Sequence, residues 1–150
     1  MLNPAAGVVE SPGSQAERRE AELESACWML LRRYGVVFRD VLERETTIPR
    51  WRELLGMFRR LEARGSVRGG RFVSGFGGEQ FAVPEAVAAL REMRLHGPGQ
   101  MDEAITVAAA DPLNLAGIVV PGERPAAVPG KTVTFLAGAV RAEELAASAL

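Results

Sequence analysis

The chain has 150 residues, enough for one full domain or one small domain and part of a second. Its hydrophobic fraction of 47% supports a buried core, and a net charge of −1 with 25% charged residues names no partner by itself. One cysteine (Cys27) and one histidine (His96) exclude an internal disulfide, a cysteine-based zinc site and any two-histidine metal motif within the chain.

Residues 1–15 are rich in Gly, Pro, Ser and Asn and read as a disordered tail. Helical spacing follows from Ala16 to Tyr34, where Leu23, Ala26, Cys27, Leu30 and Tyr34 share a face and Gly35 is a stop. Trp28 and Leu31 lie off that stripe. Cys27, inside the apolar run, reads as a buried, inert thiol. A shorter helix is expected over Val36–Glu45. Pro49 fits the first turn of a third helix, which runs to Arg64 and stops at Gly65. Trp51, Leu54, Leu55, Phe58 and Leu61 form its apolar arc, and Arg52, Arg59 and Arg60 fall on the opposite side at 100° per residue.

Two β-like runs come next, Ser66–Val73 and Glu79–Val83, joined by the glycine-rich tip 74–78. Pro84 opens another helix to about Leu95. Helix, helix, helix, strand, wing, strand, helix is the layout of a winged helix, so the fold class is α+β, with this domain at 16–97. After His96-Gly97-Pro98-Gly99 the composition changes, and 98–150 reads as a β-rich segment belonging to a larger domain. It has apolar strands at 104–110, 116–120 and 131–137, a turn or cap at Asp111-Pro112 and a proline-rich loop at 121–130; the last ten residues are weakly helical. Three strands without helical cover are too few to stand alone, so they are expected to pack on the winged helix or to pair with further chain.

The N-terminus lacks the basic-then-apolar pattern of a signal peptide, and no stretch of 18 apolar residues exists, which makes the cytoplasm the expected location, away from membranes. Between Arg50 and Arg71 there are seven arginines and two acids. In a winged helix the third helix enters the major groove and the wing touches backbone or minor groove, and forked guanidinium donors suit both tasks. Arg52, Arg59 and Arg60 on the helix, with Arg68 and Arg71 beside the wing, are therefore the candidate nucleic-acid contacts. The alternatives are a solvated helix face or an interface with another domain. Phe76, at an expected exposed tip, is placed to stack on a base, wedge a duplex or pack on a neighbouring domain. Pro129-Gly130-Lys131-Thr132 mimics the end of a phosphate-binding loop. The glycine such a loop needs five positions before Gly130 is Pro125, and a strand rather than a helix follows, so no nucleotide site is expected.

Several separated motifs carry a family resemblance. Trp51-Arg52-Glu53-Leu54-Leu55, Arg59-Arg60-Leu61-Glu62-Ala63-Arg64-Gly65, Arg68-Gly69-Gly70-Arg71-Phe72-Val73 and Gly78-Glu79-Gln80-Phe81-Ala82-Val83-Pro84-Glu85-Ala86 follow one another in order, and Ala110-Asp111-Pro112-Leu113-Asn114-Leu115 precedes Val120-Pro121-Gly122. Over about residues 25–140 this series resembles the C-terminal region of Lhr-type (large helicase-related) ATP-dependent DNA helicases.

The resemblance implies a DNA-repair helicase whose motor, with ATP and Mg, lies elsewhere. This chain would be a piece of that protein without ATPase motifs and with no cofactor of its own. Its partners would be DNA, single-stranded DNA and RNA–DNA hybrid included, and the remaining helicase domains. Some members have C-terminal regions similar to winged-helix DNA glycosylases, which makes Asp111 a candidate catalytic carboxylate; a plain turn-and-cap role is the alternative. A purely structural interdomain module is a third reading. Relatives are expected to carry Asp-Gly in the last hairpin, where this chain has Ala137-Gly138.

Overall fold

The computed structural model describes residues 12–97 and 103–141. Helix α1 spans Pro12–Tyr34, so it starts four residues before the expected Ala16, and residues 12–15 are helical. The rest of the expected tail, 1–11, and the last residues expected to be weakly helical, 142–150, lie outside the described residues. Leu23, Cys27, Leu30 and Leu31 are buried, following the 3.6-residue period. Gly35, at φ +71°, closes the helix as its N–H donates to Leu31 O at 2.8 Å; a side chain would be strained there.

The expected helix over Val36–Glu45 is replaced by two elements. Val36–Val37 form strand β1, and Asp40–Arg44 form one 3-10 turn. The reason lies far along the chain: Val36 and Val37 pair antiparallel with Ala82 and Phe81. A two-residue strand is too short for alternation to show in sequence. Helix α2 is Trp51–Ala63. Pro49 stands outside it rather than in its first turn. The cap is Arg50, whose backbone N–H donates to the Glu53 carboxylate at 3.3 Å. Leu54, Met57, Phe58 and Leu61 are buried on one face, while Trp51 and Leu55 are half-buried at its margins. The expected strand over Ser66–Val73 shortens to β2, Arg68–Gly70, and its partner is β3, Gln80–Ala82. The sheet order is β1-β3-β2, all antiparallel.

The core lies where α1, α2 and this sheet meet. Phe58 stacks on Phe81 with centroids 5.0 Å apart and planes 10° apart, and Phe38 is also fully buried. Each such ring contributes about 1.5–3 kcal/mol through burial. Helix, strand, 3-10 turn, helix, strand, wing and strand make a winged helix, with α2 in the recognition position. Helix α3, Pro84–His96, begins with proline in its first turn and buries no residue fully. Ala86 and Val87 touch the core, but Leu90, Met93 and Leu95 are exposed. His96 ends this helix, with Nε2 3.6 Å from Glu92. Among the described residues, no helix is long and apolar enough to cross a membrane.

Strands β4 (Ala104–Ala108), β5 (Thr132–Leu136) and β6 (Ala139–Val140) form a second antiparallel sheet in that order. The β5–β6 loop is Ala137-Gly138, both at positive φ, the mirror-image turn that matches strand twist. The expected strand at 116–120 is instead a turn. The N–H groups of Ile118, Val119 and Val120 all donate to Leu115 O, and Gly117 takes φ +70°. That turn points Leu115 and Val119 at the winged-helix core, and Arg124 reaches Glu43 at 3.4 Å.

Candidate nucleic-acid interface

The arginines of α2 separate into two groups. Arg52 and Arg59 are seven residues apart, so they lie within about 20° of one another on the outer face. Both are exposed. Arg60 turns toward α1 and meets Glu20 at 3.6 Å. Arg64 joins it, 3.8 Å from Glu20 and 3.0 Å from Glu24. Arg19 of α1 returns the contact to Glu53 of α2 at 2.6 Å. This seam of alternating charge binds one helix to the other. Arg60 is exposed, as expected, and pairs with Glu20 across solvent-accessible side chains.

Arg59 has a partner that sequence spacing did not reveal. Its Nε and Nη2 donate to the two carboxylate oxygens of Glu79, at 3.1 and 2.5 Å. The bidentate pair lowers the Glu79 carboxyl below its usual range and raises the arginine, and both groups remain open to solvent, where such pairs exchange readily. Arg52 and Arg68 have no ion pair or hydrogen bond to side chains among the described residues, and both are exposed. Arg71, also exposed, donates to Phe76 O at 3.2 Å. Arg71, with Glu62 and Glu79, lines the groove between α2 and the wing, and Arg59 reaches it through Glu79; Arg68 pairs with Ala82, one residue before the Gly69 that faces Glu62, and so projects from the other face of the sheet.

Phe76 is not an exposed tip. Its ring is half-buried 4.8 Å from Phe38, and the wing folds down over the core. Gln80 is the residue that fixes this, and sequence reading passed over it as one polar letter in a β-run. It is fully buried. Its Oε1 accepts the N–H groups of Phe72 and Val73, both at 2.8 Å, and its Nε2 donates to Val73 O at 2.8 Å. One side chain therefore supplies the hydrogen bonds that a longer β2 would have made. Glu62 adds a second tie, accepting the Gly69 N–H at 3.1 Å.

Asp111 is engaged in local structure, since its Oδ1 accepts the Leu113 N–H at 2.8 Å, an Asx turn. No hydrogen bond or ion pair among the described residues brings a second carboxylate to it. Nearby, the buried Asn114 donates to Ala109 O at 2.9 Å and holds the same loop. Cys27 is fully buried, and burial pushes its thiol up to about 12, so it has no nucleophilic form at neutral pH. Among the described residues no group of three or more potential ligands could hold a metal ion. Strand β5 follows Lys131, so the phosphate-loop mimic leads into a strand.

Comparison with curated proteins gives no match. The family model for the large helicase-related protein, winged-helix domain, matches residues 16–101, more than half of the chain. This chain belongs to the winged-helix family of the large helicase-related protein.

Proposed function

We propose that this helicase-associated winged helix contacts nucleic acid through α2 and the wing, as part of a cytoplasmic DNA-repair helicase whose ATP and Mg are held by a motor elsewhere. The observation that carries this reading is the exposed pair Arg52 and Arg59 on the outer face of α2, with Arg71 across the groove at the wing. Cations held on rigid elements at a solvent-facing groove suit phosphates, and arginine offers two donors to each. Arg60, exposed and 3.6 Å from Glu20, is available to the same contact at the cost of its pair with α1, while Phe76 is half-buried against Phe38.

Anisotropy of labelled duplex, single-stranded and RNA–DNA probes at low salt tests the reading. Arg52→Ala with Arg71→Ala is expected to weaken binding and to flatten its salt dependence by about one unit of slope per lost phosphate contact. Glu79→Gln is expected to strengthen binding, because it frees Arg59. Unchanged affinity in both variants would remove α2 and the wing from the contact.

A second reading, docking onto other helicase domains, draws on α3. Leu90 (38% exposed), Met93 (44%) and Leu95 (74%) are uncovered on a helix that buries nothing fully. Changing Leu90 and Met93 to serine should leave nucleic-acid binding intact and abolish association with those domains. Nothing in the geometry of Asp111 favours the glycosylase reading.

A further inference from the structure

Helix α2 has a glycine where its own fold gives no reason for one. Gly56 sits near the middle of the 13-residue helix and is exposed. Glycine in a helix interior is unfavourable relative to alanine, through backbone entropy. A tight neighbour or a left-handed backbone commonly compensates. Elsewhere in this chain both reasons are visible. A Cβ at Gly69 would lie 2.3 Å from the Glu62 carboxylate, one at Gly117 would lie 2.6 Å from Arg124, and Gly35 needs its φ of +71°. At Gly56 a Cβ meets nothing within 4 Å, and φ is not positive.

Four side chains flank that bare patch at three and four residues' distance: Glu53 and Arg60, which pair with Arg19 and Glu20 of α1, and the cations Arg52 and Arg59. Arg52 lies one turn before Gly56 and Arg59 about one turn after it, roughly 10 Å apart along the axis. Arg52 has no ion pair among the described residues. Arg59 already holds a carboxylate in the two-oxygen geometry that a phosphate also presents. Helix α2 contains no Asn, Gln, Ser or Thr, so the side chains that read adenine edges or mixed bases are missing from it.

We infer that a sugar–phosphate strand crosses α2 at Gly56, resting on bare helix backbone, with Arg52 and Arg59 each taking a phosphate, and that the contact is indifferent to base sequence. This rests on the nucleic-acid reading of the same face and adds its contact point and its lack of sequence preference. A methyl group at residue 56 stands in the path of the strand, yet it strengthens the free helix. Stability and affinity therefore move in opposite directions.

The full chain carrying Gly56→Ala is melted and titrated against two duplexes of unrelated sequence. The melting temperature is expected to rise by a few degrees, while affinity falls roughly tenfold, as an overpacked contact predicts, and equally for both duplexes. A stabilised variant that binds as tightly as wild type overturns the crossing point and leaves the broader reading standing. A strong preference of wild type for one duplex overturns sequence indifference. Absence of salt-sensitive binding by wild type overturns both this inference and the reading beneath it.

Discussion

The winged helix and the segment after it use the same kinds of residue to opposite effect. The first buries a connected cluster that includes Phe38, Phe58 and Phe81 with six leucine, isoleucine-sized or methionine side chains from α1 and α2. The second buries Ala109, Ala116 and Val133, with Phe135 and Val140 beside them. Apolar residues are plentiful in both, so composition does not separate them. Large side chains on the segment's sheet face outward: Ile105 is 61% exposed and Leu136 36%. A small sheet has a face to cover, and among the described residues no helix buries it. What holds the segment to the chain is the Leu115–Val119 turn, set into the winged-helix core, with Arg124 and Glu43 at its rim. Strand content alone does not make a domain; a face buried on both sides does.

That contrast can be broken from the strong side first. Phe58→Ala removes the ring stacked on Phe81 and should cost about 3–5 kcal/mol. Because small domains hold only about 5–15 kcal/mol in total, denaturant melts should show the winged helix near collapse, and the second sheet should lose protection with it. If hydrogen exchange shows the second sheet persisting in that variant, the dependence is wrong. An intermediate effect is expected at the joint. Leu115→Ala with Val119→Ala should speed exchange in β4 and β5 while α1 and α2 keep theirs, since half-buried side chains give up about 1–2 kcal/mol together. Equal loss in both regions would make them one cooperative unit.

The smallest effect sharpens the comparison within the second sheet. Ala137 stands at φ +49°, a left-handed position that costs a side chain about 1 kcal/mol and that Asn or Gly tolerates better. Ala137→Gly should therefore raise protection at β5 and β6 and leave the winged helix unchanged, as read by exchange at Phe135 and Val140. An Asp-Gly pair would suit this turn for the same reason.

Much of the winged helix was legible because long helices advertise their buried face. The stripe from Leu23 to Leu30, the arc from Leu54 to Leu61 and the stop at Gly65 all follow from local periodicity and one special backbone position. Strand β1 was not legible, since Val36 and Val37 are strand only by virtue of Phe81 and Ala82, more than forty residues on. The segment 116–120 misled for a related reason: an apolar run suits a strand or a tucked turn equally, and Gly117 decides between them.

Facing direction at the candidate site was right for Arg52, Arg59 and Arg60, because it needs only the helix repeat. Charge availability was not, because Glu20 and Glu79 are brought to Arg60 and Arg59 by tertiary structure. Phe76 failed in the same manner: a glycine-flanked aromatic looks exposed until the loop folds over Phe38.

The buried amide of Gln80 has a consequence for how such a protein can vary. Because it satisfies the backbone of Phe72 and Val73 from below, the wing base does not depend on ladder bonds further out. Around the tip, a side chain at Gly77 would meet open space, whereas Gly75 and Gly78 hold positive φ values of +88° and +78° that favour glycine. Lengthening a loop costs little, about 0.6 kcal/mol for each doubling. Insertions beside Gly77 are therefore expected to cost folding little, so the loop can diverge in length while Gln80 keeps its root in place and Phe76 holds it to the core.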